Sequence, residues 1–177
     1  MCGIAGIVHA DGAPVHPLAL AAMAHALRHR GPDGMGTFAD GAAGLAHTRL
    51  GIVDPIGGVQ PMATPEGRYV IVYNGEVYDH AGLRLTLEAR GHRFRTRCDT
   101  ETVLLGFAQW GAGVLERLNG EFAFAVYDRV ERSVFLARDR MGVRPVYYAQ
   151  PGAAGTSPEA KSAAGSEAKQ RPPPGCA

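Results

Sequence analysis

Met1-Cys2-Gly3-Ile4-Ala5-Gly6-Ile7-Val8 opens the chain with a cysteine directly ahead of a short apolar run. The run is closed by Asp11-Gly12, a turn signal, so a first strand is predicted over residues 4–8. Removal of the initiator Met, which a small second side chain permits, would place a thiol and a free α-amino group on Cys2. The thiolate is a strong nucleophile, and a free cysteine has a pKa of about 8.5. An α-amine titrates at about 7.7–8.0 and can act as a base near neutrality. One residue can then supply both nucleophile and base. The plain alternative is a small side chain buried at the start of a strand, as free cysteines often are.

The elements that follow are readable from periodicity. After Pro17, Leu20, Met23, Ala24 and Leu27 recur at helical spacing, and the pattern stops at Arg30-Gly31-Pro32. Residues 44–53 read as one or two strands, and Gly57, Gly58, Pro61 and Pro65 then make a long loop. Tyr69-Val70-Ile71-Val72-Tyr73 is the clearest strand, β-branched and aromatic. Leu83 and Leu87 mark a helix ending near Gly91; Val103, Leu104 and Phe107 mark another starting at Asp99. Residues 122–127 and 133–137 read as paired strands around a turn at Asp128-Arg129. Strands in adjacent runs with helices between them predict an antiparallel α+β fold, not a doubly wound parallel sheet.

Composition excludes several function classes. With 177 residues, 46% apolar and 20% charged, the chain reads as one globular domain. A formal net charge of +1 gives no reason to expect nucleic acid or an anionic membrane surface as partner. No apolar run approaches the roughly 18 residues of a membrane span, and the start lacks a secretory signal pattern. Cys2, Cys98 and Cys176 form neither a CxxC pair nor an even disulfide framework, so a reducing cytoplasm is the expected compartment. From residue 149 to 177 the chain is mostly Ala, Gly, Pro, Ser, Lys and Glu, which predicts a disordered tail behind a domain at 1–148.

Polar residues gather where a core would not need them. Arg28-His29-Arg30-Gly31-Pro32-Asp33-Gly34 is a charged, turn-rich loop; His47-Thr48-Arg49-Leu50-Gly51-Ile52-Val53-Asp54 puts Arg49 in an apolar run. Tyr73-Asn74-Gly75-Glu76-Val77-Tyr78 ends the strongest strand with Asn-Gly, and Cys98-Asp99-Thr100-Glu101 opens a helix. Asn-Gly after an apolar strand is also the commonest hairpin signal, a reading taken for Asn119-Gly120. Asp ahead of a helical run is also an ordinary N-cap. His25 and His29, four apart on the first helix, have a spacing that can hold a metal, but no third ligand lies near, so a solvated face is expected.

As a set, in this order and with residues 118–128 and 138–148, these motifs resemble the class II glutamine amidotransferase domain. The nearest resemblance is to the N-terminal half of glutamine-dependent asparagine synthetases. The resemblance implies a four-layer α/β/β/α N-terminal nucleophile fold, two stacked antiparallel sheets between helical layers. It implies that Cys2 attacks the side-chain amide of L-glutamine to form a thioester, its α-amine moving the proton. Asn74 and the Gly75 N–H are the implied oxyanion donors. Arg49 is implied to grip the substrate α-carboxylate and Asp99 the α-ammonium. Leu50, Ile52, Val53 and Glu76 complete the implied pocket. Arg138, Asp139, Arg140 and Arg144 could form an anion site by charge alone; the resemblance implies a structural turn packed near the pocket.

The resemblance implies no metal or organic cofactor for glutamine hydrolysis. Asparagine synthetases continue into a domain that uses ATP and Mg through a Ser-Gly-Gly-x-Asp-Ser loop, and these 177 residues contain no such loop. A truncated reading frame lacking the last strands is therefore expected, with ammonia passing to a separately encoded synthetase. A non-catalytic glutamine-binding or regulatory module, or a decayed fragment, is the alternative. Cys98 stands where relatives usually carry Ser, placing a second thiol near the pocket.

Overall fold

The computed structural model describes residues 1–51, 54 and 57–150. Residues Met1–Val146 form one compact unit. The expected tail lies outside the described residues from 151 onward, and so do Ile52 and Val53.

Two antiparallel sheets carry the fold. The first has the order β1-β3-β2, with β1 at Gly3–Val8, β2 at Gly34–Asp40 and β3 at Ala43–Arg49. The second has the order β4-β5-β6-β7, with β4 at Met62–Ala63, β5 at Tyr69–Val77, β6 at Gly120–Asp128 and β7 at Ser133–Arg138. Period-two alternation along the central strands sorts the apolar residues into two layers. Ala43 and Leu45 of β3 pack with Val70, Val72, Ala125 and Tyr127 between the sheets. The alternate residues of the second sheet, Ile71, Tyr73, Phe122, Phe124 and Val126, face the helices. Those helices are α2 (His80–Glu88) and α3 (Asp99–Trp110), followed by a 3-10 turn over Gly111–Glu116.

On the outer face of the first sheet lies α1 (Pro17–Ala26), whose Leu20 and Ala24 pack on Ala46 with Val15. Its first turn is set by Pro17 and by His16 Nδ1, which accepts from the Leu18 N–H at 3.2 Å. Gly44 lets the helix come close, because a Cβ there would lie 2.7 Å from a Leu20 methyl. The layers therefore run α1, first sheet, second sheet, α2 with α3: the four-layer α+β arrangement expected from the sequence.

Three local readings are corrected. Strand β2 was not foreseen. It is poor in β-formers, but all seven residues pair with β3, from Gly34↔Arg49 to Asp40↔Ala43. Asn74-Gly75 does not end its strand: both pair within the β5–β6 ladder, opposite Ala123 and Phe122, and the strand runs on to Val77. Helix α1 stops at Ala26, so His29 lies beyond it in the following turn, with Nδ1 3.1 Å from the Ala26 carbonyl. Among the described residues no group of three or more His, Cys, Asp or Glu is arranged to hold a metal, and no helix is long and apolar enough to cross a membrane.

Candidate active site

The N-terminal end of β1, the ends of β3 and β5, and the N-terminus of α3 converge on one cavity. Cys2, Arg49, Leu50, Asn74, Gly75, Glu76 and Asp99, seven of the nine residues singled out, line it. The other two, Ile52 and Val53, lie outside the described residues.

Cys2 is partly buried, and its Sγ accepts from the Leu50 N–H at 3.4 Å. Its carbonyl accepts from Arg30 Nε at 3.1 Å, so the charged loop after α1 holds the main chain of the candidate nucleophile. Gly3 behind it must stay small, since a Cβ would lie 2.6 Å from Thr48 Oγ1 and 2.9 Å from Leu27 Cβ. The same loop supports Arg49. A Cβ on Gly31 would collide with the Arg49 amide, Pro32 bridges to Arg49, and the Asp33 N–H donates to the Arg49 carbonyl at 2.9 Å.

The edge of β5 beyond the two residues of β4 explains the rest. Alternate residues of an antiparallel strand point their main-chain groups away from the partner strand. The Tyr73 N–H leaves the β6 side and donates to Gln60 Oε1 at 2.6 Å, and the Val77 N–H donates to Asp99 Oδ2 at 3.1 Å. The Gly75 N–H, of the same parity and between them, is directed to this open edge, where Gly75 lines the cavity. Asn74 continues the row of Val70 and Val72 that faces the first sheet. At this end of the row an amide replaces an apolar side chain and lines the cavity.

Asp99 is buried and well supplied with donors: Tyr73 Oη at 2.7 Å, the Val77 N–H, and the Thr100 N–H at 2.9 Å. It is the first residue of α3, with Cys98 in the capping position, so it is not the N-cap. Burial, with the neighbouring Asp99 charge, pushes the Tyr73 hydroxyl well above its ordinary pKa and keeps it a donor. Arg49 ends β3, and its Nη2 donates to the Asp54 carbonyl at 2.6 Å.

Sequence reading missed the supports. His47 is 1% exposed and bridges the sheets: its Nε2 donates to the Tyr73 carbonyl, 3.2 Å away, which can only accept. Burial lowers its pKa to about 4, so the ring is neutral. Gln60 is buried between the Tyr73 N–H and Thr100 Oγ1. These residues stand inside or beside the quoted motifs, but only tertiary contact gives them a task. The turn over 138–144 is organised by buried Asp139, which accepts from the Phe122, Val143 and Arg144 N–H groups. Arg144 reaches the cavity, pairing with Glu121 and touching the Met1 sulfur. Cys98 also lines the cavity, its Sγ 2.9 Å from Thr96 Oγ1.

A sheet-on-sheet core between helices, with a cysteine at position 2 lining the cavity, defines the fold class of N-terminal nucleophile amidotransferases. The family model of the glutamine amidotransferase domain matches residues 1–171, and the chain belongs to that family. It is homologous to the N-terminal part of asparagine synthetases. It is 42% identical over 155 residues to asparagine synthetase [glutamine-hydrolyzing] 3 of Bacillus subtilis, covering 86% of this chain and 25% of that protein. To asparagine synthetase B [glutamine-hydrolyzing] of Escherichia coli it is 38% identical over 149 residues, covering 83% and 26%. The chain thus spans about a quarter of the length of these relatives. The solved glutamine phosphoribosylpyrophosphate amidotransferase of B. subtilis shares the fold, with a TM-score of 0.63 and 22% identity over 77% of this chain and 37% of that one.

Proposed function

We propose that this chain hydrolyses the side-chain amide of L-glutamine to glutamate and ammonia through a thioester on Cys2. The observation that carries the reading is the convergence of Cys2, Arg49, Asn74, Gly75 and Asp99 from separate stretches on one cavity. With Met1 removed, the α-amine of Cys2 takes the thiol proton through a water. Sγ attacks the amide carbon, and the developing oxyanion is received by the Asn74 side-chain amide and the Gly75 N–H. Collapse expels ammonia with the returned proton, and water then cleaves the thioester, regenerating the thiol. The Leu50 N–H at Sγ stabilises the sulfur anion before attack and after release.

Arg49 binds the α-carboxylate and Asp99 the α-ammonium, so a free amino acid is selected over a glutamine within a peptide. Glu76 at the rim and the main chain of Leu50, Ile52 and Val53 complete the pocket. This chemistry needs no metal or organic cofactor. The ammonia serves asparagine synthesis on a synthetase domain, which alone uses ATP and Mg. A cytoplasmic setting keeps Cys2 reduced.

A second reading, a glutamine-binding module without catalysis, is favoured if Met1 stays, since Met1 lines the cavity and would occupy the α-amine of Cys2. Intact-mass analysis after treatment with an electrophilic diazoketone analogue of glutamine separates the two. Catalysis predicts a chain lacking Met1 with one adduct, on Cys2. Retained Met1 with glutamine binding and no adduct supports the binding module.

A further inference from the structure

Asp54 closes the motif that contains Arg49, and neither the reaction nor the pocket assigned to this chain uses it. Its main chain is left-handed, with φ 46°, a conformation that non-glycine residues adopt only where their surroundings hold it. Four hydrogen bonds hold it here. Its carbonyl accepts from Arg49 Nη2 at 2.6 Å and from the Gly58 N–H at 3.1 Å. Its Oδ1 accepts from the Gly57 N–H at 2.9 Å, and its Oδ2 accepts from the Arg97 N–H at 2.8 Å. Arg97 lies two residues before Asp99, so one side of Asp54 holds the guanidinium of Arg49 and the other holds the strand of chain that delivers Asp99.

The glycines that follow fit the same task. A Cβ on Gly57 would collide with Asp54 Oδ2, and one on Gly58 would lie 2.7 Å from Arg49 Nη2. The Gly57-Gly58 pair, read from the sequence as loop punctuation, is required for the carboxylate and the guanidinium to approach the chain this closely. The N–H groups of Arg97 and Gly57 hold the Asp54 carboxyl below its ordinary range, so it is ionised at neutral pH.

We propose that Asp54 is a positioning residue: it clasps the end of β3 to the segment before α3 and so fixes the spacing between the Arg49 guanidinium and the Asp99 carboxylate. The proposal rests on the reading of those two as the anchors for the substrate α-carboxylate and α-ammonium. Asp54 then sets how strongly the site prefers a free α-amino acid, without touching the substrate.

The test compares ammonia release from glutamine and from its α-methyl ester, which lacks the carboxylate that Arg49 holds. Asp54→Gly keeps a backbone free to adopt the left-handed conformation and the carbonyl that Arg49 meets, but removes the carboxylate that holds Arg97 and Gly57 and so opens the clasp; Asp54→Ala opens it in a second background. Both variants are expected to raise KM for glutamine by about tenfold or more while kcat falls much less, and the ester loses far less than glutamine. The preference for glutamine over the ester should therefore fall by about tenfold. A parallel loss on both substrates, or an unchanged preference, overturns the clasp. If the unsubstituted protein releases no ammonia, glutamine hydrolysis is what fails, and the same preference is read as the ratio of calorimetric Kd values. A ratio that Asp54→Gly leaves unchanged overturns the clasp, and so does the absence of glutamine binding.

Discussion

Tyr73 Oη donates a 2.7 Å hydrogen bond to Asp99 Oδ2, tying the central strand of the second sheet to the first turn of α3. The main chain of the same tyrosine is held by Gln60 on its N–H and by His47 on its carbonyl. The residue beside the candidate oxyanion donors thus orients the candidate ammonium acceptor as well. Tyr73→Phe leaves the buried carboxylate with the Val77 and Thr100 N–H donors alone. Losing a hydrogen bond to a charged group should cost about 1–3 kcal/mol of stability, read by urea unfolding. In steady-state kinetics, KM for glutamine should rise several-fold with a smaller change in kcat.

His47 makes stability depend on pH. Its pKa falls from the ordinary 6.5 to about 4 in the folded protein, chiefly through burial, with the Arg49 charge acting in the same direction and the Tyr73 carbonyl opposing. Below pH 6.5 the unfolded chain takes up a proton that the folded chain refuses. Stability is therefore complete above 6.5, declines as pH falls toward 4, and loses at most roughly 3 kcal/mol from this group. Urea midpoints measured from pH 7.5 to 4 should show the decline, and His47→Gln should remove that part of the slope.

Cys98 should be the inert thiol of the cavity. Burial pushes its pKa up, outweighing the hydrogen bond with Thr96 that works the other way. Timed alkylation followed by peptide mapping should find Cys98 modified slowly in the folded protein and readily after denaturation, with Cys2 modified first. Equal rates in both states would place Cys98 in an open, reactive setting.

Gly36 carries a prediction about the strand that periodicity missed. A Cβ there would collide with the Gln60 carbonyl oxygen and lie 2.9 Å from Pro61 Cδ. Gly36→Ala should cost about 1–3 kcal/mol and, by shifting Gln60, lower glutaminase activity. Thermal unfolding alongside an ammonia assay reads both effects.

The layers of the fold were legible where side chains repeat. Leu20 and Ala24 repeat at helical spacing, and Val70 and Val72 alternate with Ile71 and Tyr73; burial enforces both patterns. Strand β2 was not legible, because Gly34, Met35 and Gly36 have weak β preference and the strand exists through its pairing with β3. Asn74-Gly75 carries a turn signal that the continuous β6 partner overrides. The candidate site was legible as motifs, whereas its supports were not. Gln60, His47 and Tyr73 meet only because β4 begins at Met62, opposite Ile71, and leaves the edge of β5 beyond it to be satisfied by side chains. No local spacing encodes that edge.

The most direct measurement is ammonia release from L-glutamine by the purified chain, with Cys2→Ala as its matched control. The account predicts steady release by the unsubstituted protein and loss of at least about a thousandfold in Cys2→Ala with the fold retained. Full release by folded Cys2→Ala would contradict it.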